Sequence, residues 1–477
     1  MDKLLTLSGV QLAGLIRNRD VSSQEIVRVH IDHVKKVNPI INALVTERFE
    51  EALAEAREAD EMVLNTDPSK LPIYLGVPAT IKEIFALKGL VFTGGLYARK
   101  GKKADHDATT VKRMRKAGAI ILGGTNVSEL CMWMETHNKI YGRTNNPYDP
   151  SRIPGGSSGG EGAIIGSGAS PFGLAADVGG SIRMPAFFNG VFGHKPSSLL
   201  VPNTGQWPNA VAGAIPYLST GPICRKAEDL MPLLTIMAGP DGVSPVKKTR
   251  LGDPSKVSIS DLNVFVMEDN GRVPVSKDLK KAIREAGRAL EERGAKVSEG
   301  KFPAFKNSFE MWSFLMSSSG EPHYEVNLFG GKKVSLPLEF ARCMISKSEY
   351  TVPSLALVLL EKFYKYTEKS VPKWVRKARE LKEELNSTLG PNGILLFPPY
   401  SRCAPKHRLP LLSPFDWQYT AVFNVLELPV TQVPLGLNAE GLPLGVQVAS
   451  IHGNDHVTIA VAQELEKAFG GWVPPLL

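Results

Sequence analysis

Two serines, each set among glycines, stand 24 residues apart (181 − 157). Ser157 lies in Gly155-Gly156-Ser157-Ser158-Gly159-Gly160-Glu161-Gly162, and Ser181 in Asp177-Val178-Gly179-Gly180-Ser181-Ile182-Arg183. Upstream, Lys82 follows the apolar, β-branched stretch Val77-Pro78-Ala79-Thr80-Ile81. Glycine at this density lets backbone amides approach a ligand with no Cβ in the way. A serine hydroxyl attacks a carbonyl only when a neighbouring base takes its proton, and a lysine serves as that base only if its surroundings keep it neutral. Together the three segments predict a hydrolase acting on a carbonyl: Ser181 attacks, Ser157 relays the proton and Lys82 takes it. A hydroxyl suits the middle place because it accepts one hydrogen bond while donating another. Taken alone, Lys82 is as well read as a surface lysine paired with Glu83, and either loop as a tight-packing glycine turn.

Two other chemistries fit less well. Gly156-Ser157-Ser158-Gly159-Gly160 satisfies the GxSxG pattern, but a nucleophile elbow needs a strand directly before the serine. The preceding Asn146–Pro154 holds Pro147, Pro150 and Pro154 and cannot be a buried strand. A phosphate-cradling loop is disfavoured because no GxxxxGK[ST] is present and Glu161 puts a carboxylate where phosphate would sit. Ser158 is read as support for the loop.

The elements that must position these residues alternate in type. Ser22-Ser23-Gln24-Glu25 is a capping box opening a helix to about Val37, before Asn38-Pro39. A second helix is predicted over about Glu47–Val63. Val77–Ile81 and Ala119–Leu122 read as strands, with a helix over Ala108–Lys116 capped by Asp107. Further on, Asn263–Met267 is strand-like, Lys277–Arg293 helical, 335–390 helical, and Ile394–Phe397, Pro429–Val433 and Leu444–Ala449 strand-like. This order predicts an α/β fold, a sheet with helices on both faces. Late strands rejoining the sheet make 1–477 a single domain, with the serine loops and lysine within 70–210 and a helical insertion at about 303–390.

Composition narrows the class. The chain has 477 residues, 43% of them hydrophobic, and a formal charge of +8. That excess is modest, and the basic runs Arg99–Lys103 and Lys112–Lys116 read as solvated faces, which argues against nucleic-acid partners. Cys131, Cys224, Cys343 and Cys403 are scattered, with no CxxC pair, so neither zinc nor a disulfide framework is expected and the compartment is taken as reducing. The longest aliphatic run, Leu355–Leu360, is far short of the roughly 20 residues that span a bilayer. The chain is accordingly expected inside the cell, dissolved or peripherally attached to membranes.

The serine and lysine segments resemble the amidase signature family, marked by a Ser–cis-Ser–Lys triad, and within it the eukaryotic fatty-acid amide hydrolases. The likeness runs nearly the whole chain, through Leu7–Leu12, Glu129–Trp133, Asn138–Arg143, Gly179–Gly190, Gly193–Ser197, Leu428–Gln432, Gly441–Gly445 and Phe469–Val473. It implies a large mixed, twisted sheet, Ser181 as nucleophile, Ser157 following a cis peptide as relay, Lys82 as base, and an oxyanion hole at Val178, Gly179, Gly180 and Ser181. It also implies that Leu130, Cys131, Met132 and Trp133 line an acyl channel, although ordinary core explains an apolar segment equally.

The implied substrates are long-chain fatty-acid amides, primary amides such as oleamide and N-acylethanolamines. No metal or organic cofactor is required. A homodimer and peripheral contact with a membrane or lipid droplet are the family's pattern. The human-type enzymes carry an amino-terminal transmembrane helix ahead of the Leu7-Ser8-Gly9 block, near which this chain begins. Leu336–Phe363 corresponds by position to a membrane-resting cap, with Leu355–Leu360 beside Lys362, Lys365, Lys369 and Lys373. A buried helix with a basic solvent face remains equally open. So do an amidase for other amides, esters or carbamates (aryl acylamidase-like, or a glutamine-amide subunit with transfer-RNA partners) and a catalytically silent lipid-binding protein.

Overall fold

The computed structural model describes residues 2–320, 323–364 and 369–477, at 363 and 364 the backbone only. Among the described residues, eleven strands form one sheet: β1 (Leu44–Glu47), β2 (Pro78–Lys82), β3 (Ile120–Thr125), β4 (Phe172–Asp177), β5 (Phe192–Lys195), β6 (Ser219–Cys224), β7 (Asn263–Val266), β8 (Lys296–Glu299), β9 (Gly393–Phe397), β10 (Val430–Leu437) and β11 (Pro443–Ala449). Their spatial order is β1-β3-β2-β4-β6-β5-β10-β11-β9-β7-β8. β2 runs parallel to both β3 and β4, and β7 parallel to β8 and β9, while the central pairs are antiparallel. The fold is α/β with a large mixed sheet, as the alternation of elements predicted.

Alternation along the strands separates two layers of core. On β3, Ile121 joins one hydrophobic cluster, while Ile120 and Leu122 join the other; on β4, Leu174 and Ala176 face one way and Ala175 the other. Successive side chains of a strand point to opposite faces, so each face must be covered by helices. Residues of the helices Ser23–Ile41 and Gly159–Gly166 cover one face, and those of Lys277–Glu291 and Asp455–Phe469 enter the cluster on the other.

Several boundaries differ from the sequence reading. The helix predicted to stop before Asn38-Pro39 runs through Ile41. Pro39 sits in its last turn, where it removes the bond an N–H would have donated to the Lys35 carbonyl, and the Asn38 side chain accepts from the amides of Ala43 and Leu44 at 2.8 and 2.9 Å to close the end. Ser22 accepts from the Glu25 amide at 3.1 Å, one half of the expected capping box. A full box forms instead at Ser8 and Gln11, opening Gly9–Asn18, a helix the periodicity did not reveal. Asp107 does not cap Thr109–Lys116; its carboxylate accepts from the Lys88 amide and pairs with Arg115.

The helical stretch 303–390 divides between two cores. Phe305, Met311 and Leu315 near its start and Ala378, Leu381 and Leu385 near its end join the main cluster. Between them the helices Tyr324–Phe329, Leu336–Met344 and Val352–Tyr364 build a satellite cluster from Leu328, Phe329, Leu355 and Val358, which meets the body at Leu96 and Leu130. Leu359 and Leu360 face solvent, as do Lys369 and Lys373; Lys365 lies outside the described residues.

Candidate active site

Lys82 is the last residue of β2, and the sheet around it is fully covered, so its side chain is 1% exposed. Burial pushes the Lys82 ammonium below the ordinary lysine range, opposed by the nearby Cys131 thiol and the Asp177 and Glu161 carboxyls. Its Nζ donates to Ser157 Oγ at 2.8 Å and lies 3.5 Å from the Ala176 carbonyl oxygen. Glu83 is not its partner. That carboxylate turns the other way and accepts from the Thr93 and Gly94 amides, the Thr93 hydroxyl and Tyr141 OH.

The peptide Gly156–Ser157 is cis. Gly156 is required there because a Cβ would lie 2.3 Å from the Trp133 carbonyl oxygen. Ser158 Oγ donates to the Ala176 carbonyl at 3.4 Å, tying the serine loop to β4.

Ser181 sits where β4 ends and the helix Arg183–Phe188 begins, 7% exposed and therefore reachable. Among the described residues its Oγ makes no hydrogen bond, to Ser157 or any other group. Contacts of this kind are often long in a free enzyme and tighten when substrate binds. The loop is held by Asp177. Its carboxylate accepts from the Gly180 and Ile182 amides at 2.7 and 3.0 Å and from both Arg183 Nε and Nη2. Burial alone would raise the Asp177 carboxyl, but the Arg183 guanidinium, Asn424 and Lys195 hold it well below the usual carboxylate range. Arg183 is fully buried and spends its other N–H groups on the Thr420 carbonyl, Gln447 and Asn424.

The four positions read as an oxyanion hole behave differently. The Gly180 amide is committed to Asp177, which leaves Val178, Gly179 and Ser181 with backbone N–H groups without a recorded acceptor among the described residues. Gly180 has φ 122°, and a Cβ there would lie 2.0 Å from Thr420 Oγ1, so no other residue fits. Thr420 Oγ1 also donates to the Gly179 carbonyl, and Trp312 Nε1 to the Val178 carbonyl at 2.7 Å, so both carbonyls are held by side chains.

Leu130 and Cys131 take the left-handed conformation, with φ 52° and 59°. Leu130 is buried in the satellite cluster; Cys131 and Trp133 are partly buried against the main core. Burial raises the Cys131 thiol, and it lies within reach of both Ser157 and Lys82. Met132 is half-buried beside them. Behind Lys82, Glu161 is fully buried, accepting from the Thr80 and Thr125 hydroxyls, each at 2.5 Å. Burial raises that carboxyl to about 7.

The family model for "Amidase" matches residues 25–459. This chain belongs to the Amidase family. It is 47% identical to "Fatty-acid amide hydrolase 2" of Homo sapiens over 99% of its own length and 91% of the relative. It is 28% identical to a glutamyl-tRNA(Gln) amidotransferase subunit of Caldanaerobacter subterraneus, over 98% and 97%. A solved 6-aminohexanoate cyclic dimer hydrolase superposes with a TM-score of 0.82 at 26% identity, over 98% of both chains. The protein is thus an amidase-signature hydrolase, an enzyme. What the sequence missed in this amidase is the Asp177–Arg183 pair. A charged residue two places past Ser181, and another four before it in a run of Gly, Val and Ile, was the available signal.

Proposed function

We propose that the protein is a serine amidase that hydrolyses long-chain fatty-acid amides to a fatty acid and ammonia or an amine. The observation that carries the chemistry is the 2.8 Å contact between a desolvated lysine and the hydroxyl after the cis peptide. The substrate class rests on the 47% identity to the human fatty-acid amide hydrolase, against 28% for the bacterial amidotransferase.

In this reading neutral Lys82 takes the Ser157 proton as Ser157 takes that of Ser181, and Ser181 Oγ attacks the amide carbon. The Val178, Gly179 and Ser181 amides receive the developing oxyanion, each such donor being worth about 3 kcal/mol in the transition state. The proton returns through Ser157 to the amide nitrogen, which departs poorly as an anion, and the C–N bond breaks to leave an acyl-Ser181 ester. Water then enters along the same relay, releases the acid and regenerates Ser181. Leu130, Met132 and Trp133 flank the acyl chain. The lobe of residues 323–364, with Leu338, Met344, Ile345, Leu359 and Leu360 exposed, supplies a peripheral lipid contact from which such substrates enter.

A panel of primary amides and N-acylethanolamines of graded chain length, with products read by mass spectrometry, tests this. Turnover is expected to rise with acyl length and to vanish in Ser181→Ala, which keeps its fold. A preference for short acyl groups would defeat the substrate claim; residual turnover in Ser181→Ala would defeat the nucleophile.

A further inference from the structure

The turn 128–133 is bonded to the catalytic relay on one side and to the satellite lobe on the other. Toward the relay, the Ser128 amide donates to the Ser157 carbonyl at 3.3 Å. The Leu130 amide donates to the Gly94 carbonyl at 2.9 Å, and Gly94 in turn donates to Glu83, the neighbour of Lys82. The Cys131 thiol is close enough to Lys82 to act on its charge. Toward the lobe, Glu129 Oε2 accepts from the Thr351 amide at 2.9 Å and the Thr351 hydroxyl at 2.8 Å, at the start of the helix Val352–Tyr364. Leu130 packs in the lobe's own cluster, and Tyr324 OH lies 3.5 Å from the Glu129 carbonyl oxygen.

Glu129 is 2% exposed, and among the described residues its Oε1 has no hydrogen-bond partner. Burying a carboxyl with one oxygen bare is costly, and a neutral or apolar side chain would fasten a helix at less cost. The carboxylate does gain from facing the amino end of a helix, where the backbone dipole favours negative charge. Two consecutive non-glycine residues at positive φ follow it, and such a turn persists only where its surroundings fix it from both sides. Residues with few ties to the main core move most easily, and the lobe's cluster is separate from that core.

From these contacts we infer that Glu129 is a positioning residue. By holding Thr351 it sets the turn 128–131 against Ser157 and Lys82, so the seating of the 323–364 lobe is transmitted to the relay. The inference rests on the assignment of Lys82, Ser157 and Ser181 as the reacting set, though not on the substrate class. In this arrangement a lobe lifted from the body loosens the base, and a lobe seated by substrate or lipid restores it.

The test uses the full chain and a small fluorophosphonate, too short to reach the lobe, with the rate of Ser181 labelling as readout beside kcat and KM for a short soluble amide. Glu129→Gln, which keeps the side-chain volume, and Thr351→Val, which removes only the hydroxyl, are each expected to slow labelling and kcat about tenfold with KM within twofold. The double variant should slow the protein by less than the product of the two single effects, because both weaken the same contact. Thr351→Ser keeps the donor and should label at the wild-type rate.

Labelling and kcat unchanged in both single variants, with only KM for long amides raised, would reduce Glu129 to a fastening and overturn the inference. So would effects that multiply in the double variant. Slowed labelling in a protein that hydrolyses no fatty amide would uphold the coupling while rejecting the substrate assignment. A wild-type protein that is not labelled at Ser181 would overturn both.

Discussion

Around the serine loops the inward-facing side chains are charged or hydroxylic, and nearly every one is spoken for: Asp177 by Arg183, Asn424 and two amides, Glu161 by two threonines, Lys82 by Ser157. In the lobe of residues 323–364 the reverse holds. Its interior is mostly hydrocarbon, Leu328, Phe329, Leu355 and Val358, with few buried polar groups (Glu339 bonded to Ser348, Thr351 bonded to Glu129), while further large apolar side chains face water. A buried polar network is worth having only when each member is satisfied, and it then fixes one geometry. A small apolar cluster fixes a lobe less tightly and leaves it an oily outer face. Chemistry that needs reacting atoms in place suits the first kind of region; under the proposed function, handling a fatty substrate would fall to the second.

The contrast is attacked most directly at Lys82. In Lys82→Ala the relay has no base, and amide turnover is expected to fall about 10²–10⁴-fold. Hydrolysis of the matched ester should fall less, because an alkoxide leaves with less help than an amide nitrogen. Equal losses on both substrates would remove Lys82 from leaving-group protonation. A pH–rate profile gives the sign independently. The base works unprotonated and burial lowers its titration from the ordinary 10.5, so activity should rise with pH and level off below that value. A plateau reached only above it would place the lysine in contact with water.

Next in size is Asp177→Asn. Arg183 would stay buried with its carboxylate partner neutralised, and removing one partner of a buried pair costs about 3–5 kcal/mol. Urea unfolding should show that loss together with lower activity, since the same carboxylate holds the Gly180 and Ile182 amides. A variant as stable as the parent would mean that the network specifies geometry without contributing to stability.

How much of this was legible in the chain divides along the same line. The meeting of Lys82 with Ser157 could be anticipated only by reading the lysine and the two serine loops together, since each alone is as well explained by packing. The sheet could be read because β2, β3, β9 and β11 are apolar runs of strand length. The bracing was not legible. Asp177 and Arg183 find each other, and then Asn424 and Gln447, across as many as 264 residues of chain, and nothing local encodes such a meeting. The commitment of the Gly180 amide to Asp177 depends on a side chain three residues away folding back, which spacing permits but does not require. Asp107 looked like a cap because caps are read locally, yet Lys88 and Arg115 compete for it in space. Leu355–Leu360 looked uniform in sequence; only packing separates buried Leu355 and Val358 from exposed Leu359 and Leu360.

Glu161 sharpens the polar side of the comparison by its pH dependence. Its folded carboxyl titrates near 7, against an ordinary 4.5. Between these values the unfolded chain has released the proton that the folded one keeps, so this group's contribution to stability falls as pH rises through that window. The loss amounts to about 3 kcal/mol at most. Glu161→Gln should lack that fall, so its unfolding free energy relative to the parent should improve from pH 4 to pH 8. A constant difference across that range would mean that the two threonine hydroxyls hold Glu161 ionised throughout.

The smallest expected effect lies on the lobe. Leu359 and Leu360 are 44% and 42% exposed, on the solvent side of a helix whose other side, at Leu355 and Val358, is buried. Serine at both positions should leave stability and the turnover of a short soluble amide unchanged, since neither side chain belongs to the lobe's cluster. Binding to sedimented phospholipid vesicles should weaken about tenfold. Covering two half-exposed leucines is worth on the order of 1–2 kcal/mol in total once the part already buried is discounted. The short-amide arm makes the result informative. Weaker vesicle binding with short-amide turnover intact would show the apolar face acting on lipid alone. A fall in short-amide turnover would show the two regions to be one mechanical unit even without a membrane, and unchanged vesicle binding would return these leucines to an ordinary surface.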